Sequence, residues 1–313
     1  MAATLLESGG SGPLAQLVRA PARHAGGHKF DSCTAHHGIR TPKVPRRCRV
    51  PLVYKPMLSD KAGTTGSVAV GHRFKRALTA TQQISIIAEL KRKSPSAGDL
   101  SVHLGAADTA QAYVRGGAAC ISVLTEAPRF GGSPEDLKAV KNAVDVPVLR
   151  KDFLTTPQHI HEAQAMGADA VLLIVEDIGS VARVSELQTL ANELAMDALT
   201  EIRGEQDLAM AAEAGAYVIA VNQRDNPKDT RFTVDHQKAV RMANLLAELD
   251  ADVVKVAASG IETPNGTKLT ELAEVGYHAA LIGEALVTAA NPTKRLRAML
   301  DTLSKPNHRT KAQ

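Results

Sequence analysis

The sequence predicts one α/β domain, a (β/α)8 (TIM) barrel, preceded by a disordered basic segment. From residue 84 onward, eight short β-rich runs alternate with Ala/Leu/Glu-rich segments of helical period. Their separation of roughly 20–35 residues is what a strand, a crossover helix and two loops require. An open doubly wound sheet is the less favoured alternative. The runs are ISIIAELK (84–91), ACISVLTE (119–126), VPVLRKDF (146–153), DAVLLIV (169–175), DALTEIR (197–203), YVIAVNQR (217–224), VVKVAASG (253–260) and HAALIGEAL (278–286).

Helix boundaries support this register. A capping side chain precedes a proline at four predicted helix starts, where it can accept a hydrogen bond from a first-turn N–H. These starts are Ser133-Pro134, Thr156-Pro157, Thr263-Pro264 and Asn291-Pro292. Glycines at 116–117, 167, 215 and 276 are predicted to end helices in the left-handed conformation.

Composition bounds the function. The chain has 313 residues, of which 44% are hydrophobic, enough for a large core. It has no apolar window of about 18 residues, so no membrane span is expected. The net charge of +4 is uneven, because residues 1–56 carry nine Lys/Arg against two acids, which leaves −3 for the remainder. Nothing in that remainder indicates a nucleic-acid surface.

Residues 1–56 are rich in Gly, Pro, Arg and His and lack periodicity, which predicts disorder. The stretch from Pro13 to Pro21 resembles translated tRNA-gene sequence, so Met57 is an alternative initiator, and we favour either interpretation over a targeting peptide. The barrel domain is then 57–313. Three cysteines fit a reducing, cytoplasmic location. Spacing at Cys33, His36, His37 and Cys48 matches no common zinc pattern, and no metal is expected.

Polar residues end several of the predicted strands. Active sites of such barrels lie at these carboxyl ends. Residues two apart on a strand share a face, which places Glu89 with Lys91 and Asn222 with Arg224. We expect these pairs to face inward, together with Lys151 and Glu201. A structural ion pair is the alternative for Glu89 and Lys91.

Two glycine-bearing ends follow, Ser259-Gly260 and Gly283-Glu284. Loops after the seventh and eighth strands commonly cradle phosphate through backbone N–H groups, so a small phosphorylated ligand is predicted. The sequence has no GxGxxG, P-loop, HExxH or nucleophile-elbow motif. Nucleotide cofactors, catalytic zinc and serine hydrolysis are therefore disfavoured.

Seven motifs occur in order, namely IAELKRKSPSAG (87–98), ISVLTE (121–126) with FGGS (130–133), VLRKDF (148–153), LTE (199–201), VNQR (221–224), SGI (259–261) and LIGE (281–284). Over about residues 74–302 the chain thereby resembles the indole-3-glycerol-phosphate synthase family of tryptophan biosynthesis. The resemblance implies a decarboxylating lyase that cyclises 1-(2-carboxyphenylamino)-1-deoxyribulose 5-phosphate and dehydrates it to the indole. It implies no cofactor, no membrane or nucleic-acid partner, and a monomer or weak homo-oligomer.

The resemblance also implies roles. Lys151 would be the general acid in ring closure and Glu201 the base in dehydration, with Glu89 supporting proton transfer and Lys91 holding the phosphate and carboxylate end. Substrate-binding positions would be Ser94, Pro95, Phe130, Phe153, Asn222 and Arg224. Phosphate would meet Lys91, Ser259, Gly260, Gly283 and Glu284.

The chain departs from the family pattern in three places. Ala258 replaces a glutamate, the loop after Arg224 is about three residues longer, and little of the family's N-terminal helical extension is recognisable before Phe74. Glu262 is near in sequence but is expected to point elsewhere. These departures leave a second hypothesis, a divergent paralogue that binds a phosphorylated ligand with weak or no catalysis. An isomerase of another phosphosugar barrel is less favoured. It would be expected to use an acid/base pair of carboxylate or thiol on the first and fifth strands, whereas this chain has the Glu89/Lys91 pair on the first strand and Glu201 on the fifth.

Overall fold

The computed structural model describes residues 72–94, 98–100, 105–224, 233–263 and 266–304. Within this part of the chain, eight parallel strands close into a barrel, since the first strand pairs with both the second and the eighth. Each predicted run contains one strand, so the predicted barrel is confirmed and the open sheet is excluded. The strands are β1 Ser85–Leu90, β2 Cys120–Leu124, β3 Val148–Lys151, β4 Ala170–Ile174, β5 Asp197–Ile202, β6 Val218–Asn222, β7 Val254–Ala258 and β8 Ala279–Ile282.

Helices cover the outside of the barrel, and a short antiparallel pair, Lys93–Ser94 with Gly98–Asp99, follows β1. The helices are α1 Arg73–Leu78, α2 Ala106–Gly116, α3 Ala127–Phe130, α4 Pro134–Ala143, α5 Pro157–Ala165, α6 Val175–Ile178, α7 Val181–Glu193, α8 Glu205–Glu213, α9 Lys238–Leu246, α10 Leu269–Glu274, α11 Glu284–Val287 and α12 Pro292–Ser304. None of these helices is long and apolar enough to cross a bilayer. The segment 1–56 lies outside the described residues, and with it the predicted disorder and the residues Cys33, His36, His37 and Cys48.

Three of the four predicted caps are confirmed. The side chains of Ser133, Thr156 and Asn291 each accept a hydrogen bond from the backbone N–H three residues on. The fourth is wrong, because α10 begins at residue 269. Glu262 Oε1 accepts the Leu269 N–H at 2.9 Å, so a carboxylate caps the helix instead. The last run is also shorter than predicted, since its end forms α11.

A cluster of buried apolar side chains fills the interior of the barrel. α1 closes the amino end of the barrel by inserting Phe74 and Leu78, both essentially unexposed, into that cluster. Asp197 at the start of β5 holds the helix, because its carboxylate contacts His72 Nδ1 at 2.7 Å and accepts the Lys75 N–H at 3.1 Å. The strand members of the cluster are Ile87, Cys120, Leu149, Ala170, Leu172, Ile174, Leu199, Val218, Ala220, Val254, Val256, Ala258, Ala279 and Leu281.

Removing the Phe74 ring should test how far α1 stabilises the barrel. We expect Phe74→Ala to lower the free energy of unfolding by about 3–5 kcal/mol, because it empties a fully buried site. Phe74→Leu should cost clearly less, since it keeps most of the apolar contact. Urea unfolding followed by circular dichroism measures both. Equal, small losses would show that α1 does not depend on this ring.

Candidate active site

A cavity opens at the carboxyl ends of the strands, with a volume of about 1070 Å³ including its open mouth. It brings together most of the predicted site residues, namely Glu89, Lys91, Phe130, Lys151, Phe153, Glu201, Asn222, Arg224, Ser259, Gly260, Gly283 and Glu284. Ser94 lies in the short strand after β1, and only its backbone is described. Pro95 lies outside the described residues.

Glu89 joins two lysines inside the cavity. Its carboxylate is 5% exposed and lies 3.0 Å from Lys91 Nζ and 3.7 Å from Lys151 Nζ. Burial alone would raise the pKa of Glu89, but the positive charges of Lys91, Lys151 and Arg224 outweigh it and hold that pKa below its usual value. Glu89 is therefore ionised at neutral pH. The inward orientation predicted from the strand alternation is confirmed.

Gly283 packs directly against this charged pair. β8 lies beside β1 with Ile282 opposite Ala88, so Gly283, which directly follows β8, lies beside Glu89. A Cβ atom at position 283 would collide with Glu89 Oε1 and lie 3.1 Å from Lys91 Nζ. A side chain at this position would therefore force the Glu89 carboxylate to shift, and glycine permits the observed geometry of the ion pair.

On the other side of the cavity, Asn222 fixes Glu201. The Asn222 Nδ2 donates to Glu201 Oε1 at 2.8 Å, and its Oδ1 accepts the Arg224 N–H at 3.0 Å. Glu201 is only 3% exposed. One amide side chain therefore orients a buried carboxylate and the backbone that carries Arg224.

Two phenylalanines supply an aromatic wall. The guanidinium of Arg129 lies 4.3 Å from the Phe153 ring centre, and Lys151 Nζ lies 5.9 Å from that of Phe130. Glu126 caps α3 by accepting the Arg129 N–H at 2.7 Å, which fixes the helix that ends at Phe130. A flat ring carrying an anionic substituent suits such a wall.

The loop after β7 has an unusual backbone. Ser259 and Gly260 are both left-handed, with φ of 70° and 65°. For a non-glycine residue this conformation costs roughly 1–2 kcal/mol. The fully buried Gln223 compensates, because its Nε2 donates to the Ser259 carbonyl at 2.8 Å, and the Thr267 N–H donates to that of Gly260 at 3.1 Å. Turns of this kind point successive N–H groups into an anion-binding concavity.

Ala258 and Glu262 behave as the sequence suggested. Ala258 is 3% exposed and lines the cavity between its register partners Asn222 and Leu281. The Glu262 carboxylate accepts the Leu269 N–H at the start of α10. No carboxylate among the described residues replaces the one expected at 258.

Three charged residues of the cavity were not assigned a site role from the sequence: Arg129, Asp152 and Arg203. Arg203 is two residues after Glu201, so strand alternation in the sequence could have placed both side chains on the same face. Asp152 accepts from Thr125 Oγ1 at 2.6 Å and so braces the loop next to Lys151. Within the described residues, no group of three or more His, Cys, Asp or Glu side chains is placed to hold a metal ion.

A closed barrel whose strand ends carry buried, paired lysines and carboxylates defines a (β/α)8-barrel enzyme. The family model for indole-3-glycerol phosphate synthase matches residues 55–299. The match begins upstream of Phe74, so it includes part of the N-terminal segment that the sequence motifs did not reveal. Proteins named indole-3-glycerol phosphate synthase are similar to the chain at 46% identity in Micrococcus luteus, over 83% of this chain and 93% of that protein, and at 43% in Carboxydothermus hydrogenoformans, over 71% and 81%. The chain belongs to the indole-3-glycerol phosphate synthase family.

Solved structures agree on the fold alone. The chain resembles 3-hexulose-6-phosphate synthase from Salmonella typhimurium with a TM-score of 0.55 and 18% identity, over 71% of this chain and 99% of that one. It resembles thiamine phosphate pyrophosphorylase from Pyrococcus furiosus with a TM-score of 0.52 and 15% identity, over 71% and 96%.

The contact at Gly283 predicts a large effect of one methyl group. We expect Gly283→Ala to reduce turnover by about 100-fold or more, because it displaces Glu89 or Lys91 by a large fraction of an ångström. Turnover is measured as formation of indole-3-glycerol phosphate. Gly105→Ala is the control, since a Cβ there meets only an Asp108 oxygen at 3.9 Å. Unchanged turnover in Gly283→Ala would show that the pair tolerates displacement.

Proposed function

We propose that Lys151 and Glu201 are the general acid and the general base of this family's reaction in this chain. The reaction converts 1-(2-carboxyphenylamino)-1-deoxyribulose 5-phosphate into indole-3-glycerol phosphate, carbon dioxide and water. The observation that carries the proposal is the placement of an ammonium group and a buried carboxylate around one cavity, each oriented by a second side chain.

The proposed steps use these groups in turn. The Lys151 ammonium protonates the substrate carbonyl as the ring carbon attacks it, which forms the new carbon–carbon bond. The ring carboxylate then leaves as carbon dioxide, and its bonding electrons restore the ring. Glu201 removes a proton from the carbon next to the new alcohol as the C–O bond breaks. Lys151, which Glu89 helps to reprotonate across their 3.7 Å separation, gives the departing hydroxyl the proton with which it leaves as water. Glu201 then releases its proton, so that each turnover takes up one proton from solvent in total.

The charges of the substrate indicate how it would lie in the cavity. The substrate has a phosphate at one end and a carboxylate on its aromatic ring at the other. We assign the phosphate to Lys91 and the loops at Ser259–Gly260 and Gly283–Glu284. The ring would then lie against Phe130 and Phe153, and Ser94, Pro95, Asn222 and Arg224 would orient it.

We further propose a cytoplasmic protein that acts as a monomer or weak homo-oligomer on this small phosphorylated substrate. All four proposed acid, base and supporting side chains surround the cavity although residue 258 is alanine. We therefore propose an active lyase rather than a binding paralogue.

Replacing the proposed acid is the direct test. Lys151→Ala should lower product formation by at least about 100-fold, because general acid catalysis contributes roughly 10²–10⁴-fold. Lys138→Ala, at an exposed lysine of α4, is the matched control and should retain wild-type turnover. Product fluorescence measures both, and circular dichroism checks the fold. Near-normal turnover in Lys151→Ala would refute the assignment.

A further inference from the structure

Arg203 connects Glu201, in the cavity, to a second carboxylate, that of Glu176. Arg203 directly follows β5, and its side chain is 13% exposed. Its Nη1 forms an ion pair and hydrogen bond with Glu176 of α6, while its Nη2 lies 3.7 Å from Glu201 Oε1. The Arg203 Nε is buried without a hydrogen-bond partner among the described residues. A buried guanidinium thus lies between two carboxylates, Glu176 and Glu201.

The two contacts are unequal. The separation of 3.7 Å from Glu201 is too long for a hydrogen bond, so Arg203 offers that carboxylate its charge and little directional bonding. Glu201 receives its hydrogen bond from Asn222 instead, at 2.8 Å. Arg203 therefore supplies the positive charge near Glu201, and Asn222 supplies the hydrogen bond that orients it. Because the group is shielded from water, the charge acts more strongly than it would at the surface.

We propose that Arg203 is a positioning residue that tunes the basicity of Glu201, and that Glu176 limits the strength of its action. The inference rests on the proposed role of Glu201. When Glu201 takes up a proton during dehydration, its negative charge is lost, and Glu176 still neutralises the guanidinium. A buried arginine is thus never left without a counter-charge during the cycle, which would be costly.

Other charged side chains line the same cavity as Glu201, namely Glu89, Lys91, Arg129, Lys151, Asp152, Arg224 and Glu284. None of them is altered in the Arg203 and Glu176 variants, so their charges are common to every variant. The Asp207 carboxylate contacts only the backbone N–H of Arg203, at 2.8 Å, and that contact does not require the arginine side chain.

The proposal predicts opposite shifts in the pH dependence of kcat. Arg203→Gln removes a positive charge beside Glu201, so the base is protonated at higher pH and the acid limb moves up. Glu176→Gln leaves the guanidinium free to pair with Glu201, so the acid limb moves down. We expect each shift to be about half a pH unit or more. Arg203→Lys keeps the charge and should largely restore the wild-type profile.

Three further measurements make the test decisive. Arg183→Gln is the matched control, because Arg183 is also paired with a glutamate, Glu186, but on the surface of α7. It should leave the pH profile unchanged. KM should change by less than about three-fold in Glu176→Gln and Arg203→Lys, since the effect is transmitted through Glu201. Thermal unfolding shows whether a variant is folded, and Glu176→Gln with Arg203→Lys keeps the comparison available if Arg203→Gln does not fold.

The outcomes separate the two proposals. If Glu201→Gln abolishes product formation but the acid limb stays fixed, or moves in one direction, in both charge variants, Arg203 is only structural and the inference is wrong. If Glu201→Gln retains wild-type turnover, the base assignment itself fails and the inference fails with it. Opposite shifts with an intact Glu201 requirement support both.

Discussion

The structure depends on how the barrel keeps charged groups buried at the carboxyl ends of its strands. An isolated ionised side chain in such a place would be strongly destabilising, so each one must have a partner. Glu89 meets this condition by contacting Lys91 and Lys151, and the excess of positive charge keeps its pKa low. The lysines are held at fixed distances by the same carboxylate, so the contacts that permit burial also orient the groups proposed to act on the substrate.

The two ends of the barrel are stabilised by different interactions. The amino end needs only closure, and α1 provides it with Phe74 and Leu78, while Asp197 fixes the helix through directional contacts. The carboxyl end must remain open, so apolar packing stops below it and polar contacts between strands take over. Gln223 illustrates this change, because this fully buried amide, which directly follows β6, holds the backbone of the loop after β7. Rigidity at the mouth therefore comes from hydrogen bonds between neighbouring strand ends.

Local pattern in the sequence was sufficient for the strands, for three helix starts and for the inward direction of Glu89 and Lys91, because alternation and capping act over a few residues. Contacts that depend on closure were not accessible. The sequence gives no sign that Gly283 meets Glu89, since this requires β8 to lie beside β1 in one particular register. The start of α10 was wrong for a similar reason, because Glu262 caps the helix across a turn and outweighs a local Thr-Pro signal. Arg203 was visible as a neighbour of Glu201, but its bond to Glu176 joins segments 27 residues apart.

Because residue 258 is alanine, the proposed base must be one of the other carboxylates at this end of the barrel. Ala258 lies between Asn222 and Leu281 in the wall of the cavity, and the nearest carboxylate along the chain, Glu262, is engaged with α10. Glu89 is ionised and surrounded by positive charge, which suits it to pass a proton on to a neighbouring lysine and not to keep one. Glu201 has a different environment, with a neutral amide donor and an arginine that is already neutralised by Glu176. The hydrogen bond that orients Glu201 thus comes from a neutral amide, whereas Glu89 is held by two ammonium groups, and this difference fits Glu201 as the proposed base.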